Sequence, residues 1–274
     1  FGIEIFAYQA RLWVRPDPGG PADQAGLPEI GELLAINSKN LRCDDLDRIS
    51  TQLDKVKLGS SVNLTVASRP GGKGKAYKVK HAAGQPLSIT WRRVGADIVI
   101  RINEFASHDT APCLAAIYTT LVRPRCRVIL DLRGCSGGDL YETLEIAGMF
   151  VAAGLPLANT YDRAGVVQAY RAPAGMKLTS PVCVLIDHRT ASSAEILAGI
   201  LRYHNLVRVV GERSFGKCVS QTLVALSDGS GLWLTTLGIN FPDNTSCSEA
   251  GIKPDIPMAD VSVAKYSDIL KRIT

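Results

Sequence analysis

From residue 87 onward the chain alternates short apolar runs with amphipathic stretches, and this alternation restricts the folds open to it more than any other feature. The runs are "ADIVIRI", "RVILDL", "PVCVLID", "LVRVVG" and "GLWLTTLGI". Between and after them, helical periodicity begins near Thr110, Asp139, Ala191 and Asp260. In the second of these stretches Leu140, Leu144, Ala147 and Val151 share one face. Apolar strands interleaved with helices are the pattern of an α/β domain.

The first 80 residues have another character. "GIEIF", "ARLWVR", "ELLAIN" and "SVNLTVA" read as short strands. "DDLDRISTQLDKV" reads as a helix with Leu46, Ile49, Leu53 and Val56 on one face and Asp44 or Asp45 as its N-cap. "DPGGPADQAGL" is a Gly/Pro loop, and "SRPGGKGKAY" a hairpin turn or a loop. A boundary follows near His81 to Pro86. The expected division is a small β-rich domain over 1–82 and an α/β domain over 83–274.

Bulk properties remove several function classes. With 274 residues and 46% hydrophobic content the chain can bury a core, which excludes wholesale disorder. The net charge of +5 is dispersed, without the clustered basic face that nucleic acid requires. No apolar run approaches the ~20 residues of a membrane span. The seven cysteines (43, 113, 126, 135, 183, 218, 247) include no C-x-x-C pair, and the four histidines do not cluster with them. A metal site is therefore not expected, and Cys183 in "PVCVLI" reads as a small buried thiol. The start at Phe1, without a charged-then-apolar leader, reads as a mature or excised form.

Two serine motifs compete for the chemistry. "GCSGG" (Gly134 to Gly138) follows an apolar strand and fits G-x-S-x-G, which would make Ser136 the nucleophile of a hydrolase with His188 or His204 as base. No histidine follows His204, where such a fold usually carries its base. A glycine turn after a strand has a second use: its backbone N–H groups can face a developing negative charge. The other motif is "DHRTASSAEILAGIL", in which Ser192 and Ser193 stand at a helix start, where N–H groups favour negative charge. Downstream, "VGERSFGKCVSQ" supplies Lys217 and Gln221. A serine can be activated by a neutral lysine. Phe215, Gly216, Cys218 and Val219 flank Lys217 without an acid among them. Taken singly, Ser192 could be a helix cap and Lys217 a solvated side chain.

"RINEF", "LDLRGCSGG", "TASSAEILAG", "VVGERSFGKCVSQ", "SDGSGLWLTT" and "GIKPDI" occur in this order between Arg101 and Ile256. In them residues 87–256 resemble the C-terminal processing peptidases, or tail-specific proteases. Ahead of this core, Phe1 to Ile5, "GGPADQAGL" and "GELLAINSKNL" resemble a PDZ domain, as that family's architecture has it. The resemblance implies a crotonase/Clp-protease-like α/β core preceded by a small β-rich PDZ domain. By position it makes Ser192 the nucleophile, Lys217 the general base 25 residues on, and Gln221 the residue that orients the lysine. It assigns the oxyanion hole to the N–H groups of Gly138 and Ser193, so that Ser136 becomes a loop residue. Glu195 also matches, either as catalytic support or as a first-turn acid. In the PDZ part it implies a tail carboxylate held near Gly2 and Ile3, with Leu46, Ile49 and Leu53 lining the groove, although such a stripe equally serves a core.

This chain departs from the family pattern at Cys135-Ser136, where Asn-Pro is usual, and at Arg189, where Gly is usual. The helical segment the family carries ahead of the PDZ domain has no counterpart in these residues. The expected function is a serine endopeptidase acting on protein C-terminal tails, with no cofactor and no metal. Its partners are substrates with free tails, and a homo-oligomer or a regulatory partner stays open. The resemblance implies an exported, periplasmic setting. The rival readings are a non-catalytic PDZ module on a degenerate core, and an esterase built on Ser136.

Overall fold

Three segments after residue 87 are dominated by apolar residues, and all of them become strands buried on both faces. These are β8 (Asp97–Ile102), β9 (Val128–Asp131) and β12 (Cys183–Ile186). Strands read as continuous apolar runs when helices cover both sides of a parallel sheet. The computed structural model describes residues 1–42, 45–82, 87–123, 126–175, 177–179 and 181–273. The chain divides into two compact units, Phe1–Leu87 with Val263–Thr274, and Ser88–Ser262.

The first unit is built on an antiparallel sheet of β1 (Ile3–Tyr8), β2 (Arg11–Pro16), β3 (Gly31–Ile36), β5 (Ser61–Ala67) and β6 (Lys75–Lys80), in that order, with β4 (Lys39–Asn40) paired to β3. The "SRPGGKGKAY" segment carries the turn of the β5–β6 hairpin, whose strands are in register from Ser61↔Lys80 to Val66↔Lys75. The short helix α1 is Pro21–Gln24 and α2 is Leu46–Asp54. Asp44 lies outside the described residues. Asp45 stands at the N-cap of α2 without a side-chain cap bond, its carboxylate taken instead by Arg42 N–H and Arg48. Ile49 and Leu53 close the core over Leu12, Val14, Leu33, Ile36, Val62, Leu64 and Val79.

The C-terminal segment belongs to this unit, where the sequence reading kept all of 83–274 together. Its helix α6 (Tyr266–Ile273) starts later than Asp260, because Val261–Val263, with a β-branched residue at either end, makes only a 3-10 turn. Tyr266 N–H donates to Glu29 Oε1 at 2.7 Å, and Val263 packs against the Phe6, Trp13 and Ile30 cluster.

The second unit holds two sheets. The larger has the order β16 (Ile256–Pro257), β13 (Arg208–Gly211), β12, β9, β8 and β7 (Ile89–Val94). Only the β7–β8 pair is antiparallel; the rest run parallel. Helices α3 (Thr110–Leu121), α4 (Leu140–Phe150) and α5 (Ser193–Tyr203) connect the parallel strands and supply much of the core. The smaller sheet is antiparallel, in the order β11 (Gly165–Arg171), β10 (Pro156–Asp162), β15 (Gly231–Asn240) and β14 (Val219–Ala225). "GLWLTTLGI" is thus not part of the α/β alternation. With a short Asp228-Gly229 turn instead of a helix before it, β15 can only fold back on β14 as a hairpin.

Candidate active site

In a parallel sheet the loops that leave the carboxyl ends of neighbouring strands converge. Here β9, β12 and β13 are neighbours, and their ends carry the glycine turn, the Ser192 loop and the Lys217 loop respectively. Two of the three exits, those of β9 and β12, are pinned by a buried acid. Asp131, which ends β9, makes a two-pronged bond to the buried Arg133, at 2.9 and 2.8 Å. Asp187, just past β12, accepts from Gly134 N–H at 2.9 Å, Arg189 N–H at 3.0 Å and Ser262 Oγ at 3.1 Å, and pairs with the Arg189 guanidinium at 3.0 Å. It therefore joins the glycine turn to the serine loop. Arg189 turns its charge toward that acid. Further ties follow: Thr190 Oγ1 donates to Leu132 O and Ala191 N–H to Cys135 O, both at 2.9 Å.

Ser192 is a non-glycine residue at φ 54° and ψ −123°. Such a backbone costs about 1–3 kcal/mol and persists only where the surroundings impose it. The glycine turn is part of that imposition. A Cβ on Gly137, whose φ is +108°, would lie 2.8 Å from Ser192 Cβ and 3.0 Å from Ser193 N. One on Gly138, at φ +143°, would lie 2.4 Å from Phe105 O. Only residues without a side chain allow this approach. Phe105 clasps the turn, donating to Gly137 O at 3.0 Å and accepting from Asp139 N–H at 2.8 Å. Ser193 Oγ donates to Gly138 O at 2.8 Å. Among the described residues no hydrogen bond engages the N–H of Gly138 or of Ser193. Two backbone donors are thus left open beside Ser192.

Glu195, in the first turn of α5, is fully buried. Its Oε2 accepts from Ser192 N–H at 2.9 Å and Lys217 N–H at 2.7 Å. Its Oε1 accepts from Ser214 Oγ at 2.5 Å and Gly216 N–H at 2.7 Å. One carboxylate therefore holds the serine turn and the lysine loop together, which is more than a helix-dipole acid does. Lys217 is half-buried, and its Nζ donates to Gln221 Oε1, on β14, at 3.0 Å. Among the described residues Nζ makes no hydrogen bond to Ser192. The residue after the lysine, Cys218, is disulfide-bonded to Cys247, and both are fully buried.

The rival serine has none of this. Ser136 is exposed in the turn, His188 is paired with Glu212 at 3.0 Å, and His204 Nε2 meets Pro156 O at 2.7 Å. Cys135 beside it is buried, and burial pushes its thiol up to about 12. No group of three or more His, Cys, Asp or Glu suited to a metal occurs among the described residues.

In the first unit Gly2, Ile3, Leu46, Ile49 and Leu53 all line one groove of about 810 Å³ between β1 and α2. Ile49 and Leu53 serve the core as well. β1 is the edge strand of its sheet. Asp17, also in the groove, donates its N–H to Gly2 O at 2.9 Å, while burial and then the charge of Glu4 raise its carboxyl above the usual range.

Sequence reasoning missed Asp131, Asp187 and Thr190, although a signal existed: "VILD" and "VLID" are apolar strands ending in an acid. It left Glu195 open. Nothing local announced the Cys218–Cys247 pair, whose members are 29 residues apart.

Residues 98–258 match the model of peptidase family S41. The chain is 31% identical over 258 residues to a carboxyl-terminal-processing protease of Picosynechococcus, covering 92% of this chain and 62% of the relative. It is 32% identical over 249 residues to the carboxy-terminal processing protease CtpB of Bacillus subtilis, covering 89% and 51%. The chain thus spans about half to three-fifths of these relatives. Among solved structures, the photosystem II D1 C-terminal processing protease is similar at TM-score 0.56 and 24% identity, over 94% of this chain and 72% of that one. A Bacteroides fragilis protein described as an S41 protease reaches TM-score 0.68 at 16% identity, over 100% and 83%. These two likenesses speak for the fold.

Proposed function

The chain belongs to peptidase family S41, and from this premise we propose that it is a serine endopeptidase that takes protein C-terminal tails into its first unit and cleaves them through an acyl-enzyme on Ser192. The observation that carries this reading is the strained Ser192 turn with two open N–H donors beside it, tied through Glu195 to the loop of Lys217.

Ser192 Oγ attacks the scissile carbonyl, and Lys217 Nζ takes its proton as general base. The tetrahedral oxyanion is received by the N–H groups of Gly138 and Ser193, donors already fixed before charge develops. Lys217 returns the proton to the leaving amine. Water, deprotonated by Lys217, then hydrolyses the acyl-enzyme. At rest Nζ lies on Gln221 Oε1, which accepts a hydrogen bond without adding charge. It reaches Ser192 only when substrate completes the site, as catalytic hydrogen bonds often do. No step needs a metal or cofactor.

We read the first unit as PDZ-like. An extended tail adds to the free edge of β1, its carboxylate near Gly2 and Ile3 and its side chains against Leu46, Ile49 and Leu53. The mostly parallel sheet with its connecting helices supports a crotonase/Clp-type core for the second unit. An exported setting is part of the proposal, and the buried disulfide supports an oxidising compartment.

Cleavage of an unfolded test protein with a free or an amidated C-terminus tests the reading. The free tail should be cut faster, Ser192→Ala should abolish cutting, and Ser136→Ala should keep most of it. Equal rates on both tails would remove the carboxylate from recognition. A dead Ser136→Ala with an active Ser192→Ala would overturn the nucleophile.

A further inference from the structure

We propose that the Cys218–Cys247 disulfide is a positioning clamp for Lys217, so that its reduction disarms the base without unfolding the protein. The inference rests on the Ser192/Lys217 reading above.

Lys217 is held from two sides. On the N-terminal side Glu195 fixes Gly216 N–H and Lys217 N–H. On the C-terminal side the next residue is Cys218, and the strand that carries Gln221 starts one residue later, at Val219. The position of Cys218 therefore sets both the main chain of Lys217 and the acceptor that holds its Nζ.

Besides the neighbouring strand β15, what secures Cys218 is the segment running from Pro242 to Ala250, which carries its disulfide partner. That segment has no helix or strand, and Asp243, Asn244, Thr245, Glu249 and Ala250 are exposed. Its one fully buried residue is Cys247. Around the cross-link the two segments exchange hydrogen bonds on both sides of the lysine. Glu249 N–H donates to Gly216 O at 2.9 Å, and Ser248 Oγ to Cys218 O at 3.2 Å. Cys218 O also accepts from Ile239 N–H at 3.0 Å. The loop is also tied by Ser246 Oγ to Ile239 O at 2.8 Å and by Arg213 to Ala250 O at 2.6 Å, but Cys247 is the anchor that reaches the side chain of the residue next to Lys217. Here the anchor is covalent.

Reduction by a dithiol breaks the S–S bond. Two electrons and two protons pass to the sulfurs, giving the thiols of Cys218 and Cys247, and the dithiol leaves as its own disulfide. Both sulfurs are buried, so the exchange proceeds through opening of the 242–250 segment. The reduced protein keeps its groove, its serine turn and its Glu195 bonds. Held by Glu195 on one side only, Lys217 loses the fixed placement of its Nζ, a kind of displacement that costs about 10²-fold in rate.

The test uses the whole protein and a chromogenic tail peptide. Wild type is treated with dithiothreitol, and the gain of two thiols is counted by alkylation and mass. kcat and KM are then measured at 25 °C on protein whose near-UV circular dichroism is retained. The expected result is a fall in kcat of about 10²-fold with KM within about twofold, reversed on re-oxidation. Cys218→Ser, Cys247→Ser and the double variant should share one deficit, without additivity, and ignore dithiothreitol. A reduced, folded enzyme with unchanged kcat, or one that loses only thermal stability, overturns the clamp. Lys217→Ala separates the two layers. If it is inactive while the reduced wild type works normally, the clamp alone fails. If it is active, the dyad on which the clamp depends fails.

Discussion

Replacing Glu195 by Gln keeps the volume, removes the charge and turns one oxygen into an NH2 group. If that group faces Ser192 and Lys217, it opposes two N–H donors. If it faces the other way it meets Ser214 Oγ and Gly216 N–H. Ser214 Oγ already accepts from Ile252 N–H at 2.6 Å and has a second lone pair, so it can turn and accept once more. The cheaper orientation thus strands Gly216 N–H and takes its acceptor from the Ser214 hydroxyl proton. A stranded buried donor costs about 1–3 kcal/mol, and Gly216 is half-buried, which favours the lower end. The bonds to Ser192 and Lys217 drop from charge-assisted to neutral strength, roughly 1 kcal/mol each. Relief from burying a charge offsets part of this. The net expectation is a stability loss of about 1–3 kcal/mol by urea unfolding. Because the lost bonds align the serine turn with the lysine loop, kcat should fall about 10- to 10²-fold with little change in KM. A first-turn acid that merely complements the helix dipole would cost about 0.3–1 kcal/mol and leave kcat alone. That second outcome would refute the reasoning.

Other expectations follow from single contacts. Asp17 carries a carboxyl raised by burial and by Glu4, so the folded state holds that proton to higher pH than the unfolded chain, and the group's contribution to stability declines as pH rises from about 3.8 through the raised value. Asp17→Asn should remove this decline from the stability–pH curve. At neutral pH it should also tighten binding of a free-tail peptide roughly fivefold, about 1 kcal/mol of relieved repulsion, as read by calorimetry. Gly199→Ala should destabilise by about 1–3 kcal/mol in thermal unfolding, since its Cβ would stand 2.2 Å from Phe241 Cζ. Maleimide at neutral pH should leave Cys135 unmodified in the folded protein, because the thiol is buried and stays protonated.

The parts that were legible before any coordinates are those carried by local pattern. "VIL" and "CVLI" announce strands because a doubly covered strand needs apolar side chains on both faces. "TASSAEILAG" announces a helix start because small residues and an early acid suit its free N–H groups. The grouping of Ser192, Lys217 and Gln221 came from motif order, and the structure supplies its physical basis in the adjacency of β9, β12 and β13. What stayed hidden depends on distant residues. The smaller sheet could not be separated from the larger by periodicity, since "GLWLTTLGI" is as apolar as a core strand. The assignment of Val263–Thr274 to the first unit rests on Tyr266 meeting Glu29, 237 positions away. The Cys218–Cys247 pair and the four bonds of Glu195 likewise join segments that no local spacing relates.

The central claim is that Ser192 is the nucleophile and Lys217 its base. It is tested most directly by mixing the protein with an activated tail-peptide ester, quenching with acid within the first turnover, and locating the acyl group by peptide mass spectrometry. The account predicts the acyl group on Ser192 in wild type, and its formation at neutral pH at least about 10²-fold slower in Lys217→Ala, the lower end of what a positioned general base supplies. An acyl group on Ser136, or acylation of Ser192 at the same rate without Lys217, would contradict it.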